Sequence, residues 1–545
     1  MTEKALLEIH DQQISRRNMR MLALFLAIVS AACLAPTPGH AQTYSGMFTW
    51  HNDTARTGQN LQESTLTPTN VNSTTFGKLF SFPVDGFIVA EPLFVYNVII
   101  PNKGTYNVVF VFTENDSVYA FDGAGVNTTP LWQDSFIDPA KGITPVPCAD
   151  TGSGSSCPYV TTIGISGTPV IDPASGTLYL VAATKENGKY FQRLHALDIT
   201  TGAEKFGGPV VIKASVKGTG SGSKNGIVSF NALHENQRPA LLLSNGIVYL
   251  GWASYGDIKP FHGWVLAYNA TTLTQTAVLN TTPNGSDGGI WESGGGPATD
   301  SAGMLYLQTG NGTFDAKHGG PDYGDSFLKL DPSTLSVLDY FTPFNQKELS
   351  TQDIDLGSGA GLILPQQAGK FPDESFSAGK QGLIYLVNRS NMGKFDDKTN
   401  HVIETVQGSV GGYWSSPAYW NGNVYYWGTK DFLSQYSITK GKLSTSPIWH
   451  SSDKIPIGST PSVSANGSSN AIVWALESHA AQMPVPPAVL HAYDATNVST
   501  ELYNSKQAGK RDLAGPGVSF SVPTVMNGRV YVGTRTELDA YGLLP

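Results

Sequence analysis

Glu91, His234, Glu235, Arg238, Trp291, Glu292, Asp353, Asp355 and Trp414 stand at or shortly before a Pro-marked motif that recurs along the chain. Carboxylates suit a hard cation, and indole faces suit a flat conjugated molecule. Brought to one axis, such groups would bind a metal and a planar ligand. The plainer role for any one of them is to satisfy strand ends and line a watery channel. Other chemistry is excluded by composition. A formal charge of −9 leaves nothing basic to neutralise phosphates, so no nucleic-acid partner is expected. There is no Cys-x-x-Cys-His, hence no attached c-type haem. Only Cys148 and Cys157 follow the N-terminal segment, and they flank a Gly/Ser stretch. In an exported chain that spacing reads as a local disulfide, because a metal or redox role would need further ligands nearby.

The elements that must position these groups are short β-rich runs separated by Gly/Asn turns. The unit is clearest at Ser416-Pro417 with Asn421-Gly-Asn-Val-Tyr-Tyr-Trp-Gly-Thr429, and again at Val522-Pro523 with Asn527-Gly-Arg-Val-Tyr-Val-Gly-Thr534. Further copies begin at Glu91-Pro92, Thr168-Pro169, Arg238-Pro239, Gly296-Pro297 and Thr460-Pro461, with a degenerate one at Leu364-Pro365. Each reads as strand, tight turn, strand, then a third strand ending before a polar residue, as in Tyr119-Ala-Phe-Asp122 and His491-Ala-Tyr-Asp494. Asn-Gly between apolar runs is a strong hairpin signal. A four-stranded unit cannot bury both faces alone, so the copies must stack and close into a ring. The fold class is therefore all-β: one eight-bladed β-propeller of four-stranded antiparallel blades over residues 42–545. The chain ends after Leu538-Asp-Ala-Tyr541, with no room for an outer strand. Phe76-Gly-Lys-Leu-Phe-Ser-Phe82 is the segment available to supply it.

Residues 1–41 stand apart. A polar lead ends in Arg16, Arg17 and Arg20, an apolar run follows over residues 21–35, and Gly39-His40-Ala41 offers a small-residue cleavage site. This is the layout of a secretory signal peptide, and the apolar run is short for a membrane span. The mature chain is expected to be periplasmic or secreted, with no membrane span.

Two motifs carry a family resemblance. Gly288-Gly-Ile-Trp-Glu-Ser293, followed by Leu307-Gln-Thr-Gly-Asn-Gly312, resembles the stretch of pyrroloquinoline quinone (PQQ)-dependent alcohol dehydrogenases in which Gly-Gly-x-x-Trp precedes Thr-Gly-Asn. The resemblance implies a quinoprotein alcohol dehydrogenase-like propeller. It makes Trp291 the floor on which PQQ stacks and Asn311 a ligand to Ca²⁺. Ala378-Gly-Lys-Gln-Gly-Leu-Ile-Tyr-Leu-Val-Asn-Arg389 resembles the segment whose Lys contacts a quinone oxygen, here Lys380. Asp257, in Gly251-Trp-Ala-Ser-Tyr-Gly-Asp257, lies where the family places a calcium-binding Glu.

The departures are as informative. Thr342-Pro-Phe-Asn345 stands where the family has Thr-Pro-Gly-Asp, and an amide cannot act as a base at neutral pH. Asp353 or Asp355, after a loop insertion, is the candidate catalytic substitute. The family's adjacent cysteine pair is missing. His262 is expected to make a structural contact within its loop. Two functions are implied. One is a PQQ- and Ca²⁺-dependent oxidoreductase acting on an alcohol or sugar and passing electrons to a separate acceptor. The other is a non-catalytic secreted propeller serving as a binding or scaffold protein.

Overall fold

The computed structural model describes residues 43–545 apart from 155, 156, 158 and 159; the export segment expected over residues 1–41 lies outside them. Residues Tyr44–Pro545 form one compact unit. Eight sheets built on four antiparallel strands, four of them carrying one or two strands more, follow one another around a ring. The first blade begins at Leu93–Ile100, the second at Val170–Asp172, the third at Leu242–Ser244 and the fourth at Ala298–Thr299. The remaining four begin at Leu362–Ile363, Ala418–Trp420, Ser462–Asn466 and Thr524–Met526. One expectation is displaced: the fifth inner strand precedes Leu364-Pro365 instead of following it, so that Pro marks the strand's exit.

Ring closure falls where the sequence required it. Phe76–Pro83 pairs antiparallel with Glu537–Leu543 and completes the eighth blade from the other end of the chain. Apolar alternation on both faces of each blade produces a buried cluster at every junction. Phe110 of the first blade packs with Leu180 of the second, and Phe94 and Val109 of the first with Tyr531 and Leu538 of the eighth. The recurring Tyr and Asp of the repeat have a joint purpose. Tyr179, Tyr249, Tyr425 and Tyr531 donate their hydroxyls to the carbonyls of Ala270, Pro332, Ala495 and Gly123. Each acceptor directly follows the Asp or Asn that closes the next blade's third strand. That Asp or Asn accepts a backbone N–H two residues on, as Asp331 does from Ser333.

The inner strand of each blade would leave an unpaired edge facing the channel. Residues 46–60 run past these edges and touch all eight blades. Gly46–Met47 pairs with Leu93–Ile100. Ile171, Thr299, Ile363, Tyr419 and Val463 donate their N–H groups to the carbonyls of Phe48, Thr54, Ala55, Thr57 and Gly58. Asn60 reaches Val525 O, and the fully buried Arg56 reaches Leu241 O and Pro297 O. Among the described residues no helix is long and apolar enough to cross a membrane.

Candidate functional site

The site is built on glycine. Gly310 N–H donates to Gly289 O at 2.8 Å, and Gly288 N–H to Asn311 O at 2.7 Å, so the two motifs lie side by side. A Cβ at Gly312 would sit 2.5 Å from Gly288 N, which is why no side chain fits between them. After Trp291 the backbone turns sharply, with Glu292 at φ 45° and Ser293 at φ 50°, a left-handed pair that side chains rarely adopt. The turn buries Glu292, whose Oε1 accepts Gln308 N–H at 3.0 Å. Burial pushes the Glu292 carboxyl up to about 8, against the opposing Gln308 hydrogen bond and Arg56 charge.

Trp291, Asn311, Asp257, Asp353, Asp355 and Lys380 all line one cavity of about 290 Å³, together with Ser293, Ser358, Trp414 and Phe520. Trp291 with Ser293, Asp353 to Ser358, Trp414 and Phe520 come from four loops between blades, and Asp257, Asn311 and Lys380 from loops within the third, fourth and fifth blades, so the cavity lies where the ring converges. A short helix, Gln346–Gln352, is the insertion that delivers the two aspartates: Asp353 ends it at φ 54°, and Asp355 follows. Asn345 precedes the helix, bonds Glu348 at 3.3 Å and does not line the cavity.

Lys380 Nζ lies 2.6 Å from Asp353 Oδ1 and 2.8 Å from Asp355 Oδ1, and 5.7 Å from the centre of the Trp414 ring. Burial works against its charge, but the Asp355 and Asp353 carboxylates outweigh burial and hold its pKa above the ordinary lysine value. Burial also raises the Asp355 carboxyl, against the Lys380 charge and hydrogen bond. Asp325, buried beside it and bonded to Leu356 N–H, is raised further, by burial and by the Asp355 charge. Asp257 is pushed to about 6, first by burial and then by Asp353.

The donor set suits a cation and a planar ligand. Asp257 Oδ1 is buried with no hydrogen-bond partner, and three carboxylates face one ammonium beside an indole. Asn311 Nδ2 reaches Asp353 Oδ1 at 3.4 Å, which brings the amide within reach of the same carboxylates. Among the described residues no three His, Cys, Asp or Glu side chains converge as a ready cage, so a metal here would depend on the amide and on its own waters.

A second cavity of about 170 Å³ shares Trp291 and Phe520 and is lined also by Glu114, Arg238, Tyr255 and Cys148. Cys148 and Cys157 form the expected disulfide, and Cys148 is among the residues lining this cavity; the two cysteines are nine positions apart and are not an adjacent pair. Phe520 was not singled out from the sequence. It sits three residues before the eighth repeat's Pro523, at φ 68°, with the Arg238 guanidinium 4.6 Å from its ring centre. Two of the axial expectations fail. Glu235 faces a separate cavity between the second and third blades, and His234 packs near Pro260, with Nδ1 3.3 Å from Pro260 O. His262 is structural as expected, held by Thr282 Oγ1 and Ser221 O.

No protein-family model matches the chain, and no curated protein matches it in sequence. Solved structures do match in fold. A europium-containing methanol dehydrogenase superposes with a TM-score of 0.61 at 15% identity, covering 91% of this chain and 98% of that one. The quinohemoprotein alcohol dehydrogenase ADHIIG from Pseudomonas putida HK5 gives 0.57 at 14% identity, over 91% and 80% of the two chains. Quinohemoprotein alcohol dehydrogenase from Comamonas testosteroni gives 0.56 at 15%, over 93% and 81%. At such identities the likeness is one of fold.

Proposed function

We propose that this chain is an exported quinoprotein-type oxidoreductase that holds PQQ on Trp291 and Ca²⁺ at Asn311 and Asp257. It would oxidise a small alcohol or sugar, with electrons leaving to a separate acceptor. One observation carries the reading: the six residues singled out from the sequence line a single cavity in a propeller whose fold neighbours include quinohemoprotein alcohol dehydrogenases. The basic–apolar–small order of residues 1–41 and the disulfide support export.

When bound, PQQ would supply a two-electron acceptor and the cation a Lewis acid. The chain's own part is positional and protolytic. Trp291 offers a flat apolar face. Lys380 provides a fixed positive charge where negative charge develops on a carbonyl oxygen. Asp355 takes the substrate hydroxyl proton: its Oδ2 is buried and free of hydrogen-bond partners, and burial raises the carboxyl above its ordinary value, which makes it a stronger base. Asp353, with its side chain 58% exposed, stands at the cavity mouth and shares the ammonium.

A second reading, a non-catalytic secreted binding or scaffold propeller, is favoured by one feature. Lys380 is already neutralised by two aspartates without any ligand. Dye-linked oxidation of an alcohol and aldose panel after loading with PQQ and CaCl₂ separates the two. Turnover that depends on both additions, and that falls about 10²-fold or more in D355N with binding retained, supports the enzyme. Binding without turnover on any substrate supports the second reading, and absence of binding overturns the quinone assignment.

A further inference from the structure

We propose that the cavity between the second and third blades is a saccharide-binding site, distinct from the axial cavity and independent of the oxidoreductase reading. At about 1040 Å³ it has room for more than one sugar ring. One wall is the third strand of the second blade, Lys189–Asp198. The opposite wall is a two-stranded ribbon, Ser215–Lys217 with Ile227–Ser229, formed by the Gly/Ser-rich loop over residues 213–228. The short strand Glu235–Asn236 is the partition at its base. In extended backbone adjacent side chains point opposite ways. Glu235 therefore lines this cavity, while Asn236 lines the cavity beside Trp291.

Glu235 gives the cavity its chemistry. It is 2% exposed; Oε1 accepts Trp264 Nε1–H at 3.2 Å, and Oε2 is buried with no partner. An open oxygen in a buried position costs stability unless something binds it. Burial pushes this carboxyl well above the usual carboxylate range, and its unpartnered oxygen is a hydrogen-bonding group of the kind a sugar hydroxyl pairs with. The neighbouring polar groups are already committed. Gln192 accepts from Trp252 Nε1–H and donates to Ala232 O and Glu235 O, and both ring nitrogens of His262 have partners.

Phe230 supplies a fixed apolar surface, its ring set edge-on against Trp252 and Trp264 at 5.2 and 6.1 Å. Exposed Lys213 and Lys224 at the rim disfavour a cationic ligand, and the buried acid disfavours a purely apolar one. What remains is a neutral molecule with an apolar ring face and hydroxyl edges, which describes a saccharide.

The test uses the full mature chain, titrated with glucose, maltotriose, cellotriose and chitotriose by calorimetry and by the fluorescence of Trp252 and Trp264. At least one sugar should saturate with a Kd of ~1 mM or tighter. E235L should weaken it by about tenfold or more; because it also strands the Trp264 indole N–H it should lower the melting temperature somewhat, so binding is read well below the melting transition. S229W, on the exposed ribbon where folding is not at stake, should block the mouth, and W291A in the axial cavity should leave binding intact. Absence of saturation with all four sugars would overturn the proposal, as would binding that survives both E235L and S229W or that vanishes in W291A.

Discussion

Asp257 lines the axial cavity with Oδ1 buried and unpartnered, and its pKa stands at about 6 against an ordinary 3.8. The folded value lies above the unfolded one. Its contribution to stability is therefore fully present below pH ~4 and is lost as pH rises through about 6, where the fold must hold an ionised carboxylate. A rise of that size corresponds to roughly 3 kcal/mol. Part of the side chain reaches solvent, so about 2 kcal/mol is the appropriate figure after screening. Asp257→Asn removes the ionisation and keeps the shape. For a unit of about 500 residues the unfolding entropy is ~1 kcal/mol/K, so the variant should melt about 2 °C above the parent at pH 8 and level with it at pH 4. Scanning calorimetry across that range reads the difference directly. Added CaCl₂ should reverse the order at pH 8, since a cation at ~100 times its Kd stabilises only the parent, by ~2.7 kcal/mol. A variant that is less stable at pH 8, or one whose difference from the parent is the same at both pH values, would refute this account of Asp257.

Lys380→Met should cost ~3 kcal/mol at pH 8, because Asp355 is left buried without its cation, and less at pH 4, since a raised carboxyl takes up its proton more readily as pH falls; denaturant unfolding at the two pH values checks it. Gly310→Ala would place a Cβ 3.0 Å from Asp355 Oδ2 and 3.1 Å from Trp291 Cδ1, so it should cost about 1 kcal/mol, alter indole emission and abolish PQQ binding. Replacing Cys148 and Cys157 by Ser should lower stability by about 2–3 kcal/mol, from a bridge spanning nine residues, and the loss should be reproduced in the parent by a reducing agent.

The blade unit was legible because its signals are local. Asn-Gly turns, the alternating strands and the Tyr and Asp positions all act within one copy or on the next. Ring closure by residues 76–83 was legible by counting, since the last copy lacked a strand. The N-terminal wrap was not, because residues 46–60 have no pattern of their own; the inner edges of eight strands determine their path. The axial residues were found because glycine motifs mark where backbone must pass close to backbone, as Gly312 does at Gly288. Glu235 was assigned to the axis because it precedes a repeated Pro, yet strand alternation turns it outward and sends only Asn236 inward. Phe520 gave no signal: a lone aromatic in a loop acquires meaning only when its left-handed backbone aims it at Trp291's cavity.

The most direct measurement titrates the purified chain with PQQ, with and without CaCl₂, following quenching of tryptophan emission. The account predicts saturable one-to-one binding that is tightened by Ca²⁺, lost in W291A and weakened in K380M. Quenching that never saturates, or that is unchanged when Trp291 is replaced, would contradict it.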